Sequence, residues 1–336
     1  MNGAASQKKR IAGFAILLIV LLVLPFLTRS AYQMHLVIMT CINIMLGLSF
    51  ALLYGTGLLS IGVAAFWGIG AYTSALLVVK LGLSFWAALP LSGLMAAFVA
   101  FACGLVVVRI AGVTFLIQTM VINMILPEVF GHFEFFGSWA GMLGIPAPDP
   151  IGPIQFIGKT PFYYLILILL LLNILGFWAL YSSRVGKAWR SIRLNAHLAE
   201  SLGINPYRYR LLAFIISGGS AGIAGSFYAH YFQTLEPNMF SAFKSIDAQI
   251  FAILGGLNYF LIGPAIGAAI MTCVPEILRV GKEIEPIITG GVLVFLVIFL
   301  PAGILSLPGR IGLVRSGRRR GGAGKQKMTT RTTPGV

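Results

Sequence analysis

Glycine breaks inside long apolar runs are the features of this sequence best suited to chemistry. The two clearest are LLYGTGLLSIG at residues 52–62 and ILGGLNYFLIGP at residues 253–264. Unwound backbone at membrane depth is tolerated only where it is buried in protein or lines a cavity. Its amide groups can hold a carboxylate, and its carbonyl groups can hold an ammonium. Such a break could therefore bind a zwitterion without any buried charged side chain.

The candidate residues for a solute pathway are the break residues and the polar side chains set in apolar surroundings. They are Tyr54, Gly55, Ser60, Gly62, Gln118, Thr119, Asn123, Asp247, Gly255 and Gly256. A structural interpretation stays open for each, because glycines permit close helix packing and polar side chains form hydrogen bonds between helices. Asp247 is a functional candidate as an acid in an apolar run, but Lys244 could simply pair with it.

Composition identifies the elements that must position these residues. Hydrophobic residues make up 58% of the 336-residue chain and charged residues only 10%, whereas a soluble domain has about 25% charged residues. This excludes a soluble enzyme and a disordered chain. The apolar runs do not alternate with polar residues, which disfavours an outer-membrane barrel. We therefore predict an all-α fold, a polytopic transmembrane helical bundle.

Stretches free of Asp, Glu, Lys and Arg set the number of spans, since a helix needs about 20 apolar residues to cross the hydrocarbon. The stretch 30–79 must fold back at its glycine break, and 248–275 is interpreted as two short spans, with one broken span as the alternative. The sequence predicts ten spans, at residues 11–27, 36–53, 62–80, 85–108, 112–127, 161–181, 210–233, 246–261, 263–279 and 287–305.

Basic residues orient this bundle, because cytoplasmic segments are enriched in Lys and Arg. With the N-terminus inside, the inner segments hold 18 basic residues and the outer segments hold 6. Ten spans then place both termini in the cytoplasm. We expect a transmembrane domain over residues 1–310 and a basic, disordered cytoplasmic tail over residues 311–336 that lies near anionic lipid headgroups.

Residues 182–210 form the long charged segment between two spans. Ser182 or Ser183 could cap a helix that ends before Gly203. Charged side chains recur along it at spacings of three and four residues, so one helix would place them on one face. They are Arg190, Arg193, His197 and Glu200. The pattern predicts a short amphipathic helix at the inner membrane surface, held by lipid headgroups or by a cytoplasmic partner.

Three stretches resemble the LivM-type permease family of ABC importers for branched-chain amino acids. They are GLLSIGVAAFWGIGAYTSALL (57–77), GKAWRSIRLNAHLAESLGINPYRYRLLAF (186–214) and SIDAQIFAILGGLNYFLIGPAIGAAI (245–270). RIAGVTFLIQTMVINMI (109–125) is a weaker match. The resemblance covers most of residues 35–310, and the long second stretch makes it specific.

The resemblance implies a multi-pass permease subunit in the bacterial inner membrane, with residues 1–310 as the permease domain. Segment 186–206 would be the coupling loop that contacts an ATPase subunit. Ala199, Glu200 and Gly203 match positions of the family motif. Arg190, Arg193 and Glu200 would give charge complementarity to the ATPase.

The family also implies the partners of the chain. They are a second related permease, two cytoplasmic ATPase subunits, and a periplasmic or lipid-anchored substrate-binding protein. Glu128, Glu134 and Asp149 of the outer segment could help to dock that binding protein. No GxxxxGK[ST] motif occurs, so ATP and Mg are expected on the ATPase subunits, and no cofactor or metal on this chain. Its membrane anchor disfavours nucleic acid as a partner of the basic tail.

One departure from the family pattern leaves the substrate open. The family usually has a His after the Gly of its LS-x-G stretch, whereas this chain has Val63. Branched-chain amino acids are the principal prediction, and urea or short amides are the alternative within the same class. An ion-coupled secondary transporter is the alternative from another class. It would need an intramembrane proton or cation relay, of which Asp247 is the plausible member.

Overall fold

The computed structural model describes residues 30–277 except 111, 151, 153, 154 and 258, together with residues 25, 290 and 291. This part of the chain is mostly helical. Its α-helices are α1 (Ala31–Tyr54), α2 (Val63–Val79), α3 (Phe85–Val107), α4 (Val113–His132), α5 (Lys159–Ser182), α6 (Arg184–Leu194), α7 (Ala196–Ser201), α8 (Pro206–Phe232), α9 (Ala242–Gly255) and α10 (Ile262–Ile277). Short 3-10 helices lie at Glu134–Phe136, Ser138–Ala140 and Pro237–Phe240.

The helices follow the charge-free stretches of the sequence. Each predicted span between residues 36 and 279 coincides with one of the helices α1–α5 and α8–α10. Five helices are long and apolar enough to cross a membrane, namely α1, α3, α4, α5 and α8. Apart from residues 25, 290 and 291, the predicted spans 11–27 and 287–305 and the predicted tail 311–336 lie outside the described residues, so the count of ten stays a prediction.

Two helices form the centre of the bundle. In α1 and α8, 72% and 67% of the most apolar window is buried, against 33% in α3 and 28% in both α4 and α5. The outer helices present large apolar side chains to the surroundings, such as Leu94 and Phe98 on α3 and Leu172 on α5. A soluble monomer rarely exposes apolar surface of this extent, so these faces are suited to lipid or to another membrane subunit.

Glycines allow the central helices to approach each other closely. A methyl group on Gly70 of α2 would collide with the backbone of Gly222 on α8, and one on Gly225 would collide with the carbonyl of Trp67. In α9 and α10, Gly255 lies against the backbone of Gly263 in the same way. Because lipid offers no hydrophobic drive for helix association, such close packing is a main source of stability.

Segment 133–150 is folded onto one end of the bundle. Met142–Leu143 (β1) pairs antiparallel with Thr234–Leu235 (β2), a local departure from the all-α prediction. The buried ring of His230 donates from Nδ1 to the Pro146 carbonyl, 2.7 Å away. Asp149 accepts the backbone N–H of Phe85 at the start of α3. Asp149 therefore caps a helix, which leaves its carboxylate less free for docking a partner.

The close contact between α2 and α8 makes a testable prediction. Gly70→Ala should destabilise the protein by about 1–3 kcal/mol, because the added methyl group forces the two backbones apart. Gly176→Ala on α5 is the matched control, since nothing lies within 4 Å of its Cβ position. Thermal unfolding of the two variants in detergent measures the effect. Equal unfolding temperatures would contradict this packing.

Candidate functional site

The first break is the segment 55–62, which joins α1 to α2. The chain leaves α1 after Tyr54, turns at Gly57 with a φ of +83°, and returns into the bundle, where α2 begins at Val63. Leu58 and Ser60 are fully buried on the way. Buried backbone N–H and C=O groups need hydrogen-bond partners, so this buried non-helical stretch requires partners outside a regular helix.

Side chains from two other helices bond the first break. Ile61 donates its N–H to Oγ1 of Thr119 on α4, at 3.0 Å. Ala64, in the first turn of α2, donates its N–H to Oγ of Ser245 on α9, at 2.8 Å. Gln249, one turn further along α9, donates from Nε2 to the Ser60 carbonyl at 3.0 Å. The break is thus held by helices far away in sequence.

The predicted residues Ser60, Gly62 and Thr119 meet at this point. Ser60 Oγ accepts the N–H of Gly62 at 3.1 Å, and the Cβ of Thr119 lies 3.3 Å from the Cβ position of Gly62. Ser245 and Gln249 were missed by the sequence reasoning. The sequence does contain a signal for them, because both are polar residues, four positions apart, in an apolar stretch.

Asn123 extends the polar cluster by one helical turn. It lies on the buried face of α4 that also carries Thr119, and it is 0% exposed. Neither its amide nitrogen nor its amide oxygen has a hydrogen-bond partner. Pro127 lies four residues further on and has no N–H, so the Asn123 carbonyl loses its usual helical donor. Asn123 therefore offers unmet hydrogen-bonding capacity beside the first break.

Gln118 lies next to this face, half-buried, and its Oε1 also has no partner. The buried polar atoms of Gln118 and Asn123 are costly in an apolar interior unless a water or a ligand meets them. Thr119, by contrast, is fully occupied in bonding Ile61 and its own helix.

The second break, residues 256–261, lies between α9 and α10, and all of its residues except 258 are described. Gly256 ends α9 with a φ of +109°, and Gly255 packs against Gly263. The ring of Phe260 stacks on that of Tyr181, at the end of α5, with 4.2 Å between ring centroids. Gly255 and Gly256 therefore set the turn and the close packing of the α9–α10 hairpin.

The remaining pathway candidates are Tyr54, Gly55 and Asp247. Tyr54 and Gly55 are at the end of α1 beside α5 and α6, where Tyr181 lies 3.7 Å from the Cβ position of Gly55. Asp247 pairs with Lys244 at 3.7 Å, and its side chain is 46% exposed. The pairing with Lys244, left open by the sequence, is thus present in the structure.

The coupling segment contains two helices, α6 and α7, so the prediction of one helix that is capped by Ser182 or Ser183 and ends before Gly203 is wrong. Ser183 caps α6 by accepting the N–H of Val185 at 3.2 Å, as the sequence indicated. Asn195 then breaks the helix, because its backbone is extended and its Oδ1 takes the N–H of Leu198. His197 and Glu200 consequently lie on α7 and do not continue the face that carries the α6 arginines.

One face of α6 is fixed to the bundle. Trp189 is 0% exposed and donates from Nε1 to the Tyr209 carbonyl on α8, at 2.9 Å. Ile192 is buried beside it. A methyl group on Gly186 would collide with the Tyr181 carbonyl at the end of α5. α6 is therefore docked tightly against the ends of α5 and α8.

The opposite side of the coupling segment is exposed. Glu200 is exposed and Ala199 is buried. Gly203, with a φ of +82°, ends α7 by donating its N–H to the Glu200 carbonyl. Three leucines of the segment are exposed, with exposed fractions of 88%, 61% and 73%, one at the end of α6, one on α7 and one directly after α7. They are Leu194, Leu198 and Leu202, and we call them the leucine ridge.

A shallow cavity of about 460 Å³ lies on the exposed face of α4, away from Thr119 and Asn123. Glu128 and His132 are among its lining residues, with 3.5 Å between Oε2 of Glu128 and Nδ1 of His132. All of its lining residues fall between 121 and 133, so one helix and its end make the whole wall. It is a furrow that faces neighbouring lipid or protein. Within the described ranges, no three His, Cys, Asp or Glu side chains cluster to hold a metal ion.

Comparison with known proteins gives consistent matches. Residues 32–301 match the model of a family described as branched-chain amino acid transport system / permease component. The chain is 30% identical to the high-affinity branched-chain amino acid transport system permease protein LivM of Salmonella typhimurium, over 91% of this chain and 77% of that protein.

Two shorter matches accompany it. LivH of Salmonella typhimurium, a permease protein of the same system, is 29% identical over 38% of this chain and 41% of LivH. The guanosine ABC transporter permease protein NupQ of Bacillus subtilis is 28% identical over 52% of this chain and 59% of NupQ. No solved structure matches the chain.

The hydrogen bond from Thr119 to the first break predicts a stability difference between two variants. Thr119→Val keeps the shape but leaves the buried Ile61 N–H without an acceptor, which should cost about 1–3 kcal/mol. Thr119→Ser keeps the hydroxyl and should retain most of that stability. Thermal unfolding in detergent compares the two. If the Thr119→Val variant is as stable as the Thr119→Ser variant, the hydrogen bond from Ile61 to Thr119 does not hold the break.

Proposed function

Because the chain belongs to the family of branched-chain amino acid transport system permease components, we propose that it is the membrane-spanning permease of a bacterial ABC importer for branched-chain amino acids. The observation that carries the proposal is the match to LivM over 77% of that protein's length. The five apolar helices long enough to cross a membrane agree with a multi-pass protein of the inner membrane.

The first break and Asn123 are the proposed substrate site. In this structure hydroxyl oxygens of Ser60, Thr119 and Ser245 accept the N–H groups at the start of α2. A substrate carboxylate is a stronger acceptor than a hydroxyl, and it suits the N-terminal end of a helix. It would replace those hydroxyls when substrate enters. The amide oxygen and backbone carbonyl of Asn123 are acceptors suited to the substrate ammonium.

The partners follow from the family. The permease would assemble with a second, related permease, two ATPase subunits that use ATP and Mg, and an outer substrate-binding protein. LivH, a permease of the system that contains LivM, is the kind of second subunit expected. The end that carries α6 and α7 would face the cytoplasm, since residues 184–210 hold six basic residues. Both termini would lie on that side.

A urea or short-amide importer is the alternative that a specific observation favours. The unpaired carboxamide of Asn123 could pair with a neutral amide, and Val63 is buried where the family usually has His. An ion-coupled transporter has less support, because Asp247 is partly exposed and paired with Lys244.

Uptake by the assembled transporter tests the function. The chain is reconstituted in liposomes with its permease, ATPase and binding-protein partners, and labelled leucine, isoleucine, valine and urea are compared. We expect ATP-dependent uptake of the amino acids and none with a hydrolysis-deficient ATPase. Uptake of urea alone would support the alternative, and uptake without ATP would contradict an ABC importer.

The leucine ridge predicts where the ATPase binds. Three exposed leucines outside the spans suit an apolar cleft of a partner, so Leu198→Glu should abolish co-purification of the ATPase subunits. Leu143→Glu is the matched control, since Leu143 is 72% exposed on β1 at the other end of the bundle. Retention of the ATPase by Leu198→Glu would show that the ridge faces lipid or water instead.

A further inference from the structure

The two arginines of α6 contact aromatic rings of the permease itself. The Arg193 guanidinium lies 4.1 Å from the ring centroid of Tyr54, and the Arg190 guanidinium lies 4.8 Å from that of Tyr181. Within the described residues, the acids that lie within 4 Å of a basic side chain are Glu128, beside His132, and Asp247, beside Lys244, so no acid there holds either arginine. Cation–π contact is therefore what positions both guanidinium groups.

The Arg193 contact leads to the first break. Tyr54 is the last residue of α1, directly before that segment. The backbone supports the same connection, because Cα of Arg193 lies 3.4 Å from the Cβ position of Gly57, at the turn of the break. A displacement of α6 would therefore reach residues 55–62 through both a side chain and the backbone.

The Arg190 contact leads to the second break. Tyr181 stacks on Phe260 with an angle of 11° between the ring planes, and Phe260 is 8% exposed. Arg190, Tyr181 and Phe260 thus form a continuous stack from α6 to residues 256–261. Both arginines lie one turn apart on a helix that Trp189 fixes to α8.

We propose that Arg190 and Arg193 are positioning residues that join the coupling helix to both glycine breaks. We call these contacts, Arg193–Tyr54 and Arg190–Tyr181–Phe260, the cytoplasmic clasp. The inference rests on the proposed function and deepens it. It assigns the arginines to the permease side of the coupling segment, whereas the family resemblance implied charge complementarity to the ATPase. Movement of α6 is delivered through the clasp to the two unwound segments.

The experiment separates coupling from ATPase binding in the reconstituted transporter. Tyr54→Leu removes the ring face, whereas Tyr54→Phe keeps it and serves as the matched control. We expect Tyr54→Leu to keep the ATPase subunits and their ATP hydrolysis, while substrate imported per ATP falls about two- to thirtyfold, the range spanned by a lost cation–π contact. Tyr54→Phe should import as the unaltered protein does.

Arg193→Gln completes the test. It should reproduce Tyr54→Leu, and the double variant should be no worse than either single variant, as expected for two halves of one contact. Loss of the ATPase subunits from Arg193→Gln would overturn the clasp, since the arginine would then bind the ATPase. Equal import per ATP by Tyr54→Leu and Tyr54→Phe would overturn it as well.

The second contact is tested in the same way, with Phe260→Leu against Phe260→Tyr, which keeps the stacked ring. Failure of the proposed function is distinguishable, because the unaltered transporter would then import no amino acid. In that case a double-mutant cycle on the thermal unfolding of the isolated chain still tests the contact. Additive effects of Tyr54→Leu and Arg193→Gln would exclude it.

Discussion

The need to bond every backbone N–H and C=O inside a membrane protein is the constraint on which this structure depends. A helix meets it with its own residues, whereas the first break, residues 55–62, does so only in part, because residues 55–58 donate to carbonyls of α1 and Gly62 donates to Ser60. Thr119 and Ser245 supply the acceptors for the N–H groups of Ile61 and Ala64 from two other helices. Those helices must therefore pack beside α2. The unwound backbone and the surrounding helices thus stabilise each other. The proposed substrate site results from the need to bond this backbone.

The same arrangement explains how the proposed substrate site, which has no buried charged side chain, can respond to movement of α6 at the bundle surface. The N–H groups of the break can exchange a hydroxyl acceptor for a ligand carboxylate, which is a stronger acceptor. This exchange costs less energy than separating a buried ion pair. At its other end the break begins beside α6, whose tight docking through Trp189 makes it a rigid unit. The surface helix α6 and the proposed substrate site are then separated by a few residues of non-helical chain.

Sequence reasoning located most helices because a membrane span is defined by a local property, the absence of charge over about 20 residues. It also identified Ser60 and Thr119, which stand out as polar groups in apolar runs. It did not predict the hydrogen bond between Ala64 and Ser245, which are 181 residues apart, because no local sequence pattern indicates a long-range contact. It extended one helix through Asn195, because periodicity does not show that this side chain takes the Leu198 N–H and starts a new helix. It did not predict the contacts of Arg190 with Tyr181 and of Arg193 with Tyr54, because the sequence does not show which aromatic rings folding brings near.

Hydrogen–deuterium exchange of residues 55–64 in the assembled transporter tests most directly whether the break is a bonded, movable element. Without nucleotide, the amides of Ile61 and Ala64 should exchange as slowly as those in the middle of α1, because Thr119 and Ser245 accept their hydrogens. ATP binding to a hydrolysis-deficient ATPase should then accelerate their exchange as α6 moves. Exchange at the rate of an open loop in both states, or protection that ATP leaves unchanged, would contradict the account.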